Sequence, residues 1–385
     1  MDNIKGIGKA CVGCRSCEQS CPKKCIRLRP NEEGFLYPVI DERACINCGI
    51  CLKRCPAFEF KPQGRTPIRV LGLKNKDKKR VLQSASGGAS DLFARFIIEN
   101  GGSVYGCAYT EHLEARHIKV DQAEELHRIQ SSKYVQSDLK YTYESAKDEL
   151  DKGKLVLFTG TPCQIGGLYK YLGNSTYGNL FTIDLICHGV PSPEFFRKYL
   201  AYQDKRMGEE LAYFNFRSKD KRGWGTQYLL KTKTREKTKP LALDKYGKHF
   251  MDGDCYRECC YECSYANTDR VGDITVGDFW GVEKSCPDFA SAAGVSAVLI
   301  NSQQGIKLLE RVKNQASVIE TDLEAILLKQ GNLQRPTSRP AVRDHFYDGI
   351  EDKRFIEKLK VGVCMRERLK ALLPVELVQK LKRLN

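Results

Sequence analysis

The chain of 385 residues contains no run approaching 18 consecutive apolar residues, so a membrane-spanning helix is not expected. Its N-terminal stretch, MDNIKGIGKAC, likewise lacks the apolar core of an export signal. Acidic side chains are in deficit: 48 Asp and Glu against 63 Lys and Arg leave a formal charge of +15. The basic residues are spread along the chain with no aromatic-flanked stripe, which argues against a nucleic-acid surface and for no nucleic-acid partner. A diffuse basic surface suits docking of an acidic electron carrier or an anionic substrate. Apolar residues make up 41%, enough for a substantial core, and the length allows two or three domains. Eighteen cysteines without an export signal point to a reducing, cytoplasmic setting.

Cysteine is what the chain has in abundance, and eight of the eighteen fall into two runs of identical spacing. Cys11, Cys14, Cys17 and Cys21 precede Pro22; Cys45, Cys48, Cys51 and Cys55 precede Pro56. Each run reads C-x2-C-x2-C-x3-C-P, the pattern of a bacterial-type ferredoxin module with two [4Fe-4S] clusters. In that pattern the fourth cysteine of each run serves the other cluster. The expected ligand sets are Cys11, Cys14, Cys17 and Cys55, and Cys45, Cys48, Cys51 and Cys21. Zinc takes ligands in two separated pairs and fits such triplets poorly. Disulfides would need an oxidising compartment. A 60-residue module has too little core to fold securely without its metal.

Residues 61–68, with two prolines and a glycine, read as a linker between this module (1–60) and a larger body (69–300). In the body, strand patterns at 70–73, 103–109, 155–159 and 180–186 alternate with helix patterns at 90–100, 144–150, 164–172 and 194–203. Residues 211–250 favour strands, and 274–276 and 295–300 add further sheet elements. The region 301–385 reads as mostly helical, and its lysine- and leucine-rich tail, 355–384, as a terminal helix packed on the body. The predicted fold class is α+β or α/β: a ferredoxin-like domain, a mixed α/β body and a helical C-terminal region.

Three turns in the body carry chemical content. Gln83-Ser84-Ala85-Ser86-Gly87-Gly88 lies between a strand and a helix, where hydroxyls, glycines and helix N–H groups cradle phosphate or simply form a turn. Thr159-Gly160-Thr161-Pro162-Cys163 ends a buried strand and starts a helix, and Cys187-His188 follows the next strand. Cys255, Cys259, Cys260 and Cys263 form another cysteine-dense region. Adjacent Cys259 and Cys260 make an awkward pair on one core. The better site joins the C-x2-C pair Cys260 and Cys263 to Cys163 and Cys187, giving a third [4Fe-4S] cluster, with a zinc knuckle or unligated thiols as the alternatives. With about −2 on each of three clusters, the folded charge falls to roughly +9. Cys25, Cys107, Cys255, Cys259, Cys286 and Cys364 are left as packing or spare thiols.

Taken together, Q-S-A-S-G-G at 83–88, K-Y-V-Q-S at 133–137, G-T-P-C-Q at 160–164, D-L-I-C-H-G-V-P at 184–191, F-R-S-K at 216–219, G-W at 223–224, C-Y-E-C at 260–263 and D-I-T-V-G-D-F-W-G at 273–281 form a specific set. The chain resembles the coenzyme F420 hydrogenase/dehydrogenase β-subunit family, in its form with an N-terminal two-cluster ferredoxin domain. The resemblance implies a flavin-binding body with FAD beside a [4Fe-4S] cluster, and electron exchange between clusters, flavin and an acceptor. It implies cofactor contacts at Ser84, Ser86, Gly87, Gly88, Lys133, Gln136, Thr159, Gly160, Thr161, Pro162 and Asp278, with Asp273 and Asp278 either orienting backbone or capping turns. His188, adjacent to a presumed ligand, is the candidate proton donor. Arg217 and Lys219 are candidate anion contacts in a segment expected to face solvent. The expected partners are a ferredoxin or an electron-donating subunit, and F420 or another organic acceptor. The sequence leaves open an enzyme, a non-catalytic electron-transfer subunit or a redox-sensing or structural cluster protein, and a bacterial-type F-R-S-K-D-K-R-G-W-G segment weakens the case for F420 itself.

Overall fold

The computed structural model describes residues 3–58, 64–173, 175–373 and 377. Expected linker residues 61–63, and 374–376 and 378–384 of the expected tail, lie outside the described residues. Among the described residues no cysteine is in a disulfide, and no helix is long and apolar enough to cross a membrane.

Two copies of one local design build the N-terminal module. Short helices α1 (Ser16–Gln19) and α2 (Ile50–Lys53) follow the two cysteine loops. Between them lies an antiparallel hairpin, β1 (Ile26–Pro30) and β2 (Leu36–Ile40), with Ile26 opposite Ile40. Gly13 and Arg15 in the first loop and Asn47 and Gly49 in the second all have φ between 50° and 70°. These positions stand two and four residues after the first cysteine of each run. Alternating left-handed residues turn successive N–H groups toward one concavity, the geometry of an anion-binding nest. One such N–H is seen: Gly13 N–H points at Cys11 Sγ, 3.4 Å away.

The body is organised around an eight-stranded sheet in the order β13-β3-β12-β11-β7-β6-β4-β5. Its strands are β3 (Arg69–Asn75), β4 (Ser103–Tyr109), β5 (Ala115–Val120), β6 (Val156–Gly160), β7 (Leu180–Leu185), β11 (Ile274–Asp278), β12 (Ser296–Ile300) and β13 (Ala316–Glu320). A separate three-stranded sheet holds β8 (Tyr213–Asn215), β9 (Gln227–Lys231) and β10 (Glu236–Pro240). β4, β6, β7 and β11 run parallel, and helices bury both faces of the sheet. The main helices are α3 (Lys78–Gln83), α4 (Ala89–Glu99), α5 (Thr142–Asp151), α6 (Pro162–Leu172), α7 (Pro193–Met207) and α8 (Lys245–Asp252). Strand alternation divides the apolar residues cleanly. Val104 and Leu157 pack with Leu92, Phe93 and Ile97 of α4 on one face. Tyr105, Val156 and Phe158 pack with Ile165 and Leu168 of α6 on the other.

The stretch expected as strands at 211–250 is three short strands followed by α8, which starts where Asp244 accepts hydrogen bonds from Tyr246 and Gly247 N–H. Within the region expected as helical, 316–320 is the strand β13, paired antiparallel with β3. Its alternating Ala-Ser-Val-Ile-Glu pattern covers a sheet edge that a helix could not hydrogen-bond. The 355–384 tail departs from one long helix: Phe355–Lys358 and Met365–Leu372 are separate helices.

Candidate functional site

Two clefts in the N-terminal module are walled by thiols. Cys11, Cys14, Cys17 and Cys55 line one. Cys21, Cys45, Cys48 and Cys51 line the other, together with Cys25. The first four are buried; in the second set Cys48 is exposed and Cys21 and Cys45 are half-buried. Burial, reinforced by neighbouring thiols, pushes Cys14 and Cys17 well above the ordinary thiol range, and takes Cys55 up to about 11. These groups bind iron only as thiolates, so cluster assembly must displace their protons. Among the described residues no three His, Cys, Asp or Glu side chains converge as one bound metal ion needs. A cubane core keeps its four thiolates apart, each on its own iron.

The inner set faces the body across a seam of buried polar contacts. Arg257 is fully buried: Nε donates to Cys11 O (2.6 Å), Nη2 to Leu36 O (2.9 Å) and Nη1 to Gln136 Oε1 (3.1 Å). Its guanidinium stacks 4.1 Å from the centre of the Tyr37 ring. Gln136 completes the clamp by donating to Val12 O at 3.0 Å. Arg15 pairs with Asp138, and Gln19 Oε1 accepts from Tyr143 and Glu144 N–H at 3.1 Å. Gly167 of α6 is one point of close approach: a Cβ there would lie 3.1 Å from Cys14 Sγ and 2.7 Å from Tyr143 Oη.

Directly behind Cys14 lies a third group of thiols. Cys163, Cys187, Cys259 and Cys263 are within electrostatic reach of one another, and Cys260 reaches Cys187, Cys259 and Cys263. Cys163 opens α6 after Thr161, whose side chain and Gln164 form a reciprocal cap. Cys187 follows β7. The segment after it is tied to the 256–263 loop by the Pro191–Tyr256 bridge and by Arg257 N–H donating to Val190 O at 3.0 Å. The loop is tied back to the sheet by Arg270, buried, which pairs with Asp184 at 2.9 Å and donates to Tyr265 O at 2.9 Å. Burial raises Cys163 strongly and Cys187 to about 12, whereas a hydrogen bond from Cys260 chiefly lowers Cys259. Cys259, set aside in the sequence, thus faces three of the four residues chosen there and adjoins the fourth.

The remaining sequence candidates divide into two groups along the carboxyl edge of the parallel strands, where open α/β sheets bind ligands. Asp278, at the end of β11, accepts from both terminal nitrogens of Arg217 (2.7 and 2.8 Å) and from Trp224 Nε1 (2.6 Å). Trp224 stacks on Trp280 with centroids 4.4 Å apart. Ser86 Oγ donates to Val295 O, and Lys219 Nζ bonds Val81 O and Ser86 O, both at 2.6 Å. Arg217 and Lys219, expected to face solvent, are 3% and 5% exposed. Burial takes Lys219 down to about 7. Ser84 Oγ donates to Arg80 O, and Gly87 packs so tightly on β3 and β12 that a Cβ would meet Leu73 O at 2.2 Å. Beside Gly88 and Ser84 sits Asn75, a residue the sequence did not single out. Its buried Nδ2 has no hydrogen-bond partner among the described residues. It adjoins the first turn of α4, whose N-cap, Gly88, supplies no side chain.

The second group lies elsewhere on the edge. Thr159 Oγ1 donates to Tyr105 O, and Gly160 meets the Gln164 side chain. Lys133 Nζ bonds Gln130 O (2.5 Å) and Arg128 O (3.1 Å), and burial lowers it to about 8. His188 is exposed; surrounding protein atoms lower its pKa, and the charges of Asp278 and Arg217 reach it. Asp273 belongs to neither group: it accepts from Thr182 N–H, Thr182 Oγ1, Arg65 and Ser302, binding β7 to β11.

Comparison with known proteins follows the same division. Residues 10–58 match the family model of the 4Fe-4S dicluster domain. Residues 153–325 match the model for the C terminus of the coenzyme F420 hydrogenase/dehydrogenase beta subunit. Ferredoxin-type protein NapF of Haemophilus influenzae is 36% identical over 45 residues, 12% of this chain and 26% of that protein. Ferredoxin-1 of Caulobacter vibrioides is 36% identical over 58 residues, covering 14% of this chain and 47% of its own length. An uncharacterized ferredoxin of Methanocaldococcus jannaschii is 33% identical over 70 residues, 18% of this chain and 82% of that one. The chain thus spans about a quarter and about half of the first two relatives. A chain of the F420-reducing [NiFe] hydrogenase complex from Methanosarcina barkeri is 15% identical, with a TM-score of 0.47 over 70% of this chain and 91% of that one. The chain thus joins an N-terminal 4Fe-4S ferredoxin domain to a domain of the coenzyme F420 hydrogenase/dehydrogenase beta-subunit type.

Proposed function

We propose that the chain is an iron–sulfur flavoprotein oxidoreductase, passing electrons from a low-potential donor, such as a ferredoxin or an electron-donating subunit, to an organic acceptor. Residues 1–60 are the donor-side unit, 69–300 the catalytic body and 301–385 a C-terminal region whose Arg343 ties to the module at Glu33. The observation that carries this reading is the contiguity of the thiol groups. Cys14 of the inner set shares one hydrophobic core with Cys163 and Cys263 of the third.

The donor sets fit the clusters: four thiols line one N-terminal cleft and five, Cys25 included, the other, with left-handed loop residues beside them. Cys163, Cys187, Cys263 and one of the adjacent Cys259 and Cys260 form the third set. For flavin, the fit rests on Asn75 Nδ2, without a hydrogen-bond partner among the described residues, beside the α4 N-terminus that no side chain caps, which together suit a phosphate at the 84–88 turn. When bound, the clusters supply one-electron transfer, and FAD couples it to two-electron reduction of a carbon centre. The protein holds and shields. Arg257 and Gln136 fix the inner set against the body, Lys219 and Arg217 pin the 81–86 segment, and Trp224 and Trp280 wall the Asp278 side from water. His188, exposed at this edge, is the group placed to exchange a proton with the acceptor.

The test is anaerobic purification with iron, acid-labile sulfide and flavin analysis, then a screen of F420, quinones, unsaturated acids and sugar-linked acceptors. About twelve irons and one FAD per chain, with turnover of an acceptor, is the expected result. Iron-loaded chain without flavin refutes the reading. Flavin with turnover only in the presence of a second polypeptide makes the chain an electron-transfer subunit.

A further inference from the structure

We propose that Cys25 is a fifth thiol of the outer cluster site, able to replace Cys21 as its fourth ligand. The inference rests on the reading that Cys45, Cys48, Cys51 and Cys21 hold a [4Fe-4S] cluster. It begins with a contact the spacing pattern does not contain: Cys21 Sγ and Cys25 Sγ are 3.4 Å apart. Both line the cleft shared by Cys45, Cys48 and Cys51.

Local backbone explains the approach. Lys24 N–H donates to Cys21 O at 3.0 Å, and Lys24 sits in the left-handed region at φ 50°, so the chain reverses and brings Cys25 back onto Cys21. A non-glycine residue adopts this conformation only where the surroundings enforce it. Cys25 is then anchored at the end of the hairpin, where its carbonyl accepts from Asp41 N–H at 2.8 Å. Cys25 is buried while Cys21 is half-buried, so the spare thiol lies on the sheltered side of the position it would take over.

The arrangement is confined to one of the two sites. The position four residues after Cys55 is Glu59, so the inner set has no matching thiol in its repeat. The inner ligands are all buried, whereas the outer site is open to solvent at Cys48. A second thiol in contact keeps iron in place at the site where ligand loss is easiest. The exchange balances without an oxidant: the Fe–S bond to Cys21 breaks, that to Cys25 forms, and the Cys25 proton passes to the Cys21 thiolate.

The experiment compares the wild-type chain with Cys21→Ala, Cys21→Val, Cys25→Ala and Cys21→Ala/Cys25→Ala, all purified anaerobically. Iron and labile sulfide are counted, and spectra of the reduced clusters are recorded by electron paramagnetic resonance. Wild-type iron in each single variant, an altered spectrum in the Cys21 variants, and a loss of about four irons in the double variant are expected. Loss of those irons in both Cys21→Ala and Cys21→Val chains that fold by circular dichroism overturns the proposal. So does their loss in Cys25→Ala alone, or full retention in the double variant. A wild-type chain without the N-terminal irons instead sinks the cluster reading beneath it.

Discussion

Arg257 does more at the seam than any other single residue, because one guanidinium satisfies Cys11 O, Leu36 O and Gln136 Oε1 at once. Methionine at this position would fill the volume but leave two buried carbonyls without their donor. Hydrogen bonds from charged groups contribute about 1.5–3 kcal/mol each. We expect Arg257→Met to lower unfolding stability by about 3–5 kcal/mol, read by denaturant titration. Lysine should not rescue it, since an ammonium cannot span the same fork. The Arg217–Asp278 pair makes a second prediction. Asp278→Asn leaves a buried guanidinium uncompensated, a loss of about 3–5 kcal/mol, whereas Arg217→Met/Asp278→Leu should cost less than the single change. Equal or greater damage in the double variant would show that the pair itself stabilises the fold. The cysteine runs were legible in the sequence because covalent spacing alone defines them. Arg257, Asn75 and the burial of Arg217 and Lys219 were not, because each depends on residues far away in the chain.

At the level of elements, β6 and the start of α6 position Cys163, and His117 of β5 buttresses them. His117 Nε2 lies 2.9 Å from Thr159 O, and Nδ1 is 2.8 Å from Ser137 Oγ, which in turn accepts from Gln164 Nε2. Burial lowers the His117 pKa from 6.5 to about 4. The unfolded chain therefore binds this proton more tightly, and the stability that His117 contributes is complete above about pH 6.5 and lost as pH falls toward 4. Denaturation midpoints should drop over that window in the wild type, and the drop should shrink in His117→Asn. Cys163→Ser should remove about four irons per chain while leaving the N-terminal clusters in place; unchanged iron content would exclude Cys163 as a ligand. The parallel strands were readable because they are apolar runs bounded by turns. β13 escaped notice because a short alternating segment among helical patterns becomes a strand only when an open sheet edge offers partners.

On the scale of the whole molecule, the ferredoxin module is seated on the body at Gly167. A side chain there would collide with Tyr143 Oη and Cys14 together. Gly167→Val should force the module outward, destabilise the chain by about 1–3 kcal/mol and slow reduction of the third cluster by an external donor. Stopped-flow absorbance with a reduced ferredoxin would read that rate. An unchanged rate would mean that electrons do not cross this seam. Residues of the C-terminal region also tie module and body together. Arg343 pairs with Glu33 of the hairpin turn at 2.7 Å, and Tyr347 Oη donates to Cys255 O at 2.5 Å.

The sequence by itself determined the two repeated thiol loops, the parallel strands with their crossover helices, and the family they announce. These are local facts, held in the spacing of a few residues and in periodicity along one segment. Only the tertiary structure decided which thiols meet across segments: Cys259 beside Cys163 and Cys187, and Cys14 against Gly167. Such contacts join residues as far as 153 positions apart through the packing of whole elements. No pattern within one stretch of chain encodes a distance of that kind.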